Sequence, residues 1–544
     1  MSTRLGKGSI LKKTIGFGSS TLLSRFLGIF REMVMTWYFG ASGTLDAFLT
    51  AYKIPNSLRK IFAEGALSVA LIPTLVSMKH KGATHQINRL MTLSFIVFEG
   101  ILIALCILMV WQVDWLFRIV VPGWYIGGES STIFGIPVPA AWLGLGEPNE
   151  QVLLGITLFR ILISFIIFLS SSSILAAALQ SINHFFVPAI APVLLNLVFI
   201  TGLLVGWYHN LPPQYLCFFI LLGGLLQFIL HLVVYFKFNF GFSRADSETW
   251  RYFKTVFRKF LPCLFSMSVM EISLFVDTSF ASYLPTGSVA LINLANRFMG
   301  IPLGVFAAAF STILLPHFSR VNSYAPKRLS FYLLEVTKFV LWVMLPATLL
   351  MIFLSEKIFI TLFLSKKFTI GQVGDAQLIL IGYLVGLFCF SLNKALLSFY
   401  YALHNTVIPG IISVVGTIVN IIFNILLIHN LQGMGLALAT SISGLAQTLL
   451  FVFLLYAIFD FRFYTKNFFS FVWRYVTQLT LVLSILFGVY HMFLAYIATL
   501  PESIKIFLTL KVGFWLWAGP LCGVGIAIIY YTRKLFNIKL YFLD

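Results

Sequence analysis

The chain has 544 residues, 59% of them hydrophobic and only 10% charged, with a mean hydropathy of +0.96. A soluble domain is nearer 45–50% apolar and about 25% charged, so the composition excludes an ordinary soluble enzyme and indicates a polytopic membrane protein. The net charge of +19, from 37 Lys and Arg against 18 Asp and Glu, reads as the positive-inside bias of cytoplasmic loops and not as a nucleic-acid footprint.

Windows of about 20 apolar residues divide the chain into fourteen expected spans. The first two cover about 14–40 and 45–77, the second bent at Pro55, and the third about 91–118. A loop rich in Gly, Pro and Ser, 122–150, precedes spans near 151–179, 186–207 and 213–237. The linker NFGFSRADSETWRYFKTVFRK sets Trp250, Phe253 and Phe257 against Arg251, Lys254 and Arg258, which predicts a helix lying at the membrane interface. Spans seven to twelve fall near 260–284, 287–319, 329–356, 376–402, 406–428 and 434–459, and the last two near 470–498 and 509–532.

The basic start MSTRLGKGSILKKTIGFG lacks a short apolar run ending in a cleavage site, so it is expected to remain cytoplasmic. Lys79, Arg89, Arg244, Arg251, Arg258, Arg320, Arg328, Arg462 and Arg474 mark the even-numbered loops as cytoplasmic. Lys357, Lys366, Lys367, Lys505 and Lys511 run against the rule, but the balance places both termini inside.

An internal repeat sets SGTLDAFLTAYKIPNSLRKIFAEGALSVALIPTL over TGSVALINLANRFMGIPLGVFAAAFSTILLPHF. Gly43 falls on Gly287, Ala51 on Ala295, Lys53 on Arg297 and Phe62 on Phe306. Such symmetry points to a transporter built from two related halves. The expected domains are an N-lobe, 1–240, carrying the enlarged loop, an interfacial linker, 241–259, a C-lobe, 260–460, and a tail, 461–544, with the last two spans.

The first two spans hold Arg25, Arg31, Glu32, Asp46, Lys53, Arg59, Lys60 and Glu64. A charge at the bilayer centre costs about 2.5–3.5 kcal/mol on insertion scales, so these side chains must face water, protein or a ligand. Asp46, Lys53, Lys60 and Glu64 share one helix face, with Asn56 nearby. Pairing within the helix, Lys60 with Glu64 and Lys53 with Asp46, competes with cavity lining. Arg25 has apolar turns on both sides, whereas Arg31 and Glu32 could snorkel to an interface. Arg297 has no acid within two turns of its own helix; Glu271 and Asp277 of the preceding span could pair with it, or Asp277 could ligate a cation. Arginine suits a phosphate, because its planar fork donates two parallel hydrogen bonds and keeps its charge when buried. No nucleophile elbow, P-loop, HExxH or aspartate-rich metal motif points to an enzyme.

The runs SRFLGIFREM, FGASGTLDAFLTAYKIPNSLRKIFAEGALSVALIPTL, TGSVALINLANRFMGIPLGVFAAAFSTILLP and VPAIAPVLLNL resemble the MurJ (MviN) family of bacterial lipid II flippases, in the MOP exporter superfamily. The resemblance implies an all-α integral membrane fold with fourteen transmembrane helices, two pseudo-symmetric six-helix lobes around a central cavity, and two C-terminal helices forming a lipid-tail groove. It implies that Arg25, Arg31, Arg59 and Arg297 are cavity arginines, and that Asp46 and Asn56 are cavity positions. Ser24, Glu32 and Lys53 complete the expected substrate-binding set. Ala290 and Gly300 depart from residues found in some members. Some members bind sodium through an Asp of the seventh helix, a place Asp277 could fill, so sodium or the membrane potential is an expected coupling. The implied partners are lipid II, membrane lipids and cell-wall synthesis enzymes, in the bacterial inner membrane. A related exporter of another cargo, a membrane glycosyltransferase and a non-transporting cell-wall scaffold are the competing readings.

Overall fold

Several helices in this chain begin or end where the sequence supplies a cap or a breaker. The structure, a computed structural model, describes residues 23–24, 26–80, 84–126, 131–133, 136–138, 144–182, 184–405, 407–462, 464–511 and 513–543. Ser42 accepts a hydrogen bond from the Leu45 N–H and Asn149 from the Val152 N–H, each satisfying an orphan donor of the helix it opens. Asp246 with Thr249, and Thr369 with Gln372, form reciprocal capping boxes. Asn210, in the left-handed region at φ 52°, closes one helix, and Pro213 opens the next.

Two compact units divide the chain, the first ending at Ala290 and the second beginning at Leu291. The first contains α1 (26–39), α2 (Gly43–Leu58), a π-helical segment (Arg59–Leu67), α3 (Ser68–His80), α4 (Thr84–Trp111), α5 (Val113–Val120), α6 (Glu150–Leu162), α7 (Phe165–Ser181), α8 (Phe186–His209), α9 (Pro213–Lys237) and α10 (Ser247–Ala281). Lipid offers apolar helices no hydrophobic reason to associate, so close packing must do it. α8 and α9 meet glycine against bulk: a Cβ on Gly202 would lie 2.6 Å from the Phe219 Cβ, and one on Gly223 would lie 2.8 Å from Leu195 Cδ1. A second cluster gathers Leu71, Leu75, Leu90, Ile174, Tyr235, Phe253 and Phe260.

The linker is helical from Ser247 onward. It runs into the following span as the single 35-residue α10. The reason lies in its inner face, where Phe253 and Phe260 pack on Phe98 of α4 with ring centroids 5.7 and 4.7 Å apart. Trp250, Arg251, Lys254 and Arg258 remain exposed. Between α5 and α6 the enlarged loop forms two short antiparallel ladders, Tyr125–Ile126 with Glu147–Pro148 and Ser131–Ile133 with Ile136–Val138. Arg118 fastens it, donating to the Asp114 carboxylate at 2.7 Å and to the Leu145 carbonyl at 2.8 Å while lying over the Tyr125 ring.

The second unit takes in most of α11 (Ser288–Pro302), a π-helical segment (Leu303–Ala307), α12 (Ala308–Tyr324), α13 (Leu329–Phe363), α14 (Ile370–Val385), α15 (Leu387–Ala402), α16 (Val407–Phe459), α17 (Thr465–Ala498), α18 (Glu502–Leu510) and α19 (Phe514–Thr532). α16 is a helical hairpin folded at Gln432, whose φ of 45° and ψ of −127° are non-helical. Asn420 reaches Thr440 and Ser443 reaches the Gly416 carbonyl across it. The α14–α15 pair bends by 42° at Gly386. Phe471, Tyr475 and Leu479 of α17 pack with Ile529 of α19 and with Ile538 and Leu540 beyond it. Among the described residues nine helices are long and apolar enough to cross a membrane, ten when the α14–α15 pair is counted.

The repeat read from the sequence has a structural counterpart. Gly287 stands to Leu303 as Gly43 stands to Arg59, and a π-helical segment begins at each of those two positions. The π-helix is rare and tends to occur at functional sites.

Candidate functional site

The charged face of α2 meets α10. Its apolar face, with Ala47, Phe48 and Ala51 buried, is covered by protein; Phe48 and Tyr52 both pack against Phe199 with centroids 6.1 Å away. On the opposite face the polar stripe forms a ladder. Asp46, 1% exposed, accepts from the Gly287 N–H at 2.6 Å and from the Ala290 N–H at 2.7 Å. Lys53 donates to the Leu274 carbonyl at 2.7 Å and to the Thr278 hydroxyl. Ser57 donates to Glu271 Oε2 at 2.6 Å, and Lys60 lies 3.1 Å from Glu271 Oε1. All these residues belong to the first unit.

Intrahelical pairing therefore does not describe Lys53 and Asp46, which turn to partners on α10 and at the start of α11. For Lys60 the observed acid is Glu271; the Glu64 side chain lies outside the described ones. Asp46 works as an N-cap. The open N–H groups of a helix start carry partial positive charge, and a carboxylate placed there receives two charge-assisted bonds. Gly287 makes this approach possible: at φ 94°, a Cβ would fall 2.5 Å from the Ala41 carbonyl oxygen. Arg59, half-buried, donates to the Asn56 side chain at 3.2 Å where the π-helical segment begins.

On α1, Arg31 and Glu32 are buried rather than snorkelled, each 8% exposed. Arg31 donates to Glu32 at 2.7 Å and to Asn196 of α8 at 3.1 Å, and its guanidinium lies 4.8 Å from the centre of the Phe199 ring. Asn196 also reaches Ser24 at 3.4 Å. Arg25 lies outside the described residues. Asp277 is buried on α10, close to the Lys53 ammonium. Arg297 stands on α11 in the second unit with an exposed side chain. Thus the structure brings Ser24, Arg31 and Glu32 together at Asn196, holds Lys53 on α10 and Asp46 at the start of α11, and pairs Asn56 with Arg59.

Three buried charged residues among the described ones were passed over in the sequence: Glu335 and Lys338, which pair with each other at 2.6 Å, and Glu99. Glu99 sits near the middle of α4 and is 5% exposed. The signal that marks it is simple: from Leu90 to Trp111 it is the only charged residue.

Charges buried inside apolar helices fit a multi-pass membrane transporter. A multidrug resistance MATE family transporter of the MOP superfamily, in an inward-facing conformation, shares the fold at a TM-score of 0.62 and 16% identity, covering 81% of this chain and 96% of that one. The family model described as lipid II flippase MurJ matches residues 35–507. A "Probable lipid II flippase MurJ" from Buchnera aphidicola subsp. Schizaphis graminum is 30% identical over 542 residues, 98% of this chain and 100% of its own. A solved lipid II flippase MurJ in an inward closed conformation has a TM-score of 0.73 at 25% identity, covering 96% of this chain and 99% of that one. The chain belongs to the MurJ family.

Proposed function

We propose that this protein flips lipid II, the lipid-linked peptidoglycan precursor, from the cytoplasmic to the outer leaflet of the bacterial inner membrane by alternating access. The observation that carries the reading is the family match over residues 35–507, which runs through the cation-bearing α2 and through Arg297. Fourteen spans follow if the α16 hairpin counts as two, the bent α14–α15 pair as one, and the charged α1, α2–α3 and α10 are added. Both termini then face the cytoplasm.

In this reading Arg25, Arg59 and Arg297 receive the diphosphate and sugar headgroup, each able to offer a two-pronged donor to a phosphate. Arg31 would have to leave Glu32 to join them. Lys53, held on α10, and Asp46, held at the start of α11, fix α2 in one of the states between which the transporter alternates. The polyprenyl tail is taken by an apolar groove of α13, α17 and α19 lined by Leu349, Phe353, Leu486, Phe487, Leu521 and Cys522. A sodium ion at Asp277 or the membrane potential supplies the bias, and cell-wall synthesis enzymes are the expected neighbours.

The test is complementation in bacteria depleted of their own flippase, with membrane levels of each variant measured. Wild type is expected to rescue growth, and Arg59→Ala and Arg297→Ala to fail at equal abundance. Full rescue by both variants would overturn the headgroup-binding proposal.

A further inference from the structure

Around Glu99 the first unit holds a polar cluster that transport of a lipid headgroup does not explain. Ser170 and Ser171 of α7 face the Glu99 carboxyl, yet neither of its oxygens meets a donor at hydrogen-bonding geometry. Ser172, fully buried, lies 2.9 Å from Nδ1 of His231 on α9. The same Nδ1 lies 2.9 Å from the Gln227 carbonyl oxygen, which can only accept. Nδ1 therefore carries the hydrogen, and Nε2 of the neutral ring is an acceptor. That Nε2, 1% exposed at the residue level, has no partner, and neither has Gln227 Oε1.

Two neutral hydroxyls, Ser170 and Ser171, are what α7 sets beside the buried Glu99 carboxyl. Separately, between α7 and α9, Gln227 Oε1 and His231 Nε2 are buried acceptors without a partner. Leaving a buried polar group unmatched costs about 1–3 kcal/mol, and more for a charged one. A single added proton supplies the missing donor and removes the charge from the middle of a span. The other titratable group beside Glu99 is Cys106 on its own helix. From α10, Phe253, Phe260 and Cys263 close the neighbouring apolar cluster, and α3 adds Leu71, Leu75 and Met78. Among the described residues these elements present no cation to the carboxyl.

We propose that Glu99, with Ser170 and Ser171 beside it, is a reversible proton-binding site inside the first unit, and that its loading is coupled to the transport cycle. The coupling rests on the flippase reading; the site itself rests on geometry alone.

Infrared difference spectroscopy of the purified full-length protein in lipid vesicles, over a pH series and at two sodium concentrations, tests it. Wild type is expected to show the carbonyl band of a protonated carboxylic acid that titrates with pH and ignores sodium. That band is lost in Glu99→Gln. Glu99→Asp keeps a band with a displaced midpoint, so the test survives a glutamine variant that fails to fold. A wild type without a titrating band, a band that survives Glu99→Gln, a midpoint unmoved in Glu99→Asp, or a band that follows sodium instead of pH overturns the site. In flippase-depleted cells Glu99→Gln is expected to lower plating efficiency at least tenfold at wild-type abundance; wild-type rescue by it overturns the coupling. Failure of the flippase reading shows differently, as a wild type that does not rescue.

Discussion

Replacing Asp46 with alanine isolates the contact between α2 and the start of α11. The carboxylate receives the Gly287 and Ala290 N–H groups at 2.6 and 2.7 Å and is 1% exposed. Hydrogen bonds to a charged group contribute about 1.5–3 kcal/mol each. Two such bonds are lost in Asp46→Ala, and both donors stay buried without a partner. Part of the loss is offset, because the variant no longer buries a charge. A net destabilisation of about 2–4 kcal/mol follows, above the roughly 1 kcal/mol usual for removing an N-cap. Asp46→Asn keeps one acceptor oxygen and should lose about half as much. The assay is reversible unfolding in mixed micelles, titrated with dodecyl sulfate and followed by circular dichroism. Stability within about 0.5 kcal/mol of wild type in Asp46→Ala, on the scale of an ordinary surface substitution, would refute the capping argument.

Four further outcomes are expected. Gly287→Ala forces a side chain into the left-handed region and against the Ala41 carbonyl, for a loss of about 1–3 kcal/mol in the same unfolding assay; an unchanged midpoint would count against it. Glu271→Ala strands Ser57 and Lys60 and should cost about 1–2 kcal/mol, the ion pair adding little because the Lys60 side chain is 40% exposed; Glu271→Gln should recover part of the loss through Ser57. Asp246 is held below the usual carboxylate range by the Thr249 hydroxyl, the Gln86 amide and the Thr249 N–H, with Arg89 adding to this. Its stabilisation is therefore complete above about pH 4, where an unfolded aspartate ionises, and fades as pH falls through the folded value. The stability gap between wild type and Asp246→Asn should stay constant above that point and close below it; a gap that ignores pH removes the argument. Gly123→Ala would set a Cβ 2.6 Å from the Ser282 backbone, so the 122–150 loop should be cut faster by protease, and an unchanged cleavage rate would contradict the contact.

The membrane class, the helical character and the break between the spans near 406–428 and 434–459 were legible because hydropathy acts locally. Windowed hydropathy placed a break between spans near 428–434, and the chain folds back at Gln432. The face shared by Asp46, Lys53 and Lys60 was also legible, since helical periodicity fixes which side chains align. What they align against was not, because the partner, Glu271, lies 211 residues away from Lys60. The continuity of α10 was hidden for a related reason: Phe253 and Phe260 of its first half pack on Phe98 of α4, a distant stretch of the chain, while Trp250 and Phe257 stay exposed. Glu99 escaped because an averaged window dilutes one carboxylate among many aliphatic neighbours.

The paired π-helical segments at Arg59 and Leu303 have a mechanical meaning. A π turn carries one residue more than an α turn, a surplus that backbone hydrogen bonds pass along by re-pairing one at a time. Each shift of that surplus swings the residues it crosses by about 100° around the axis without melting the rod. Both halves of this membrane protein keep such slack at the same register, so the side chains there, Arg59 and Lys60 in the first half, can be re-aimed by sliding rather than by unwinding.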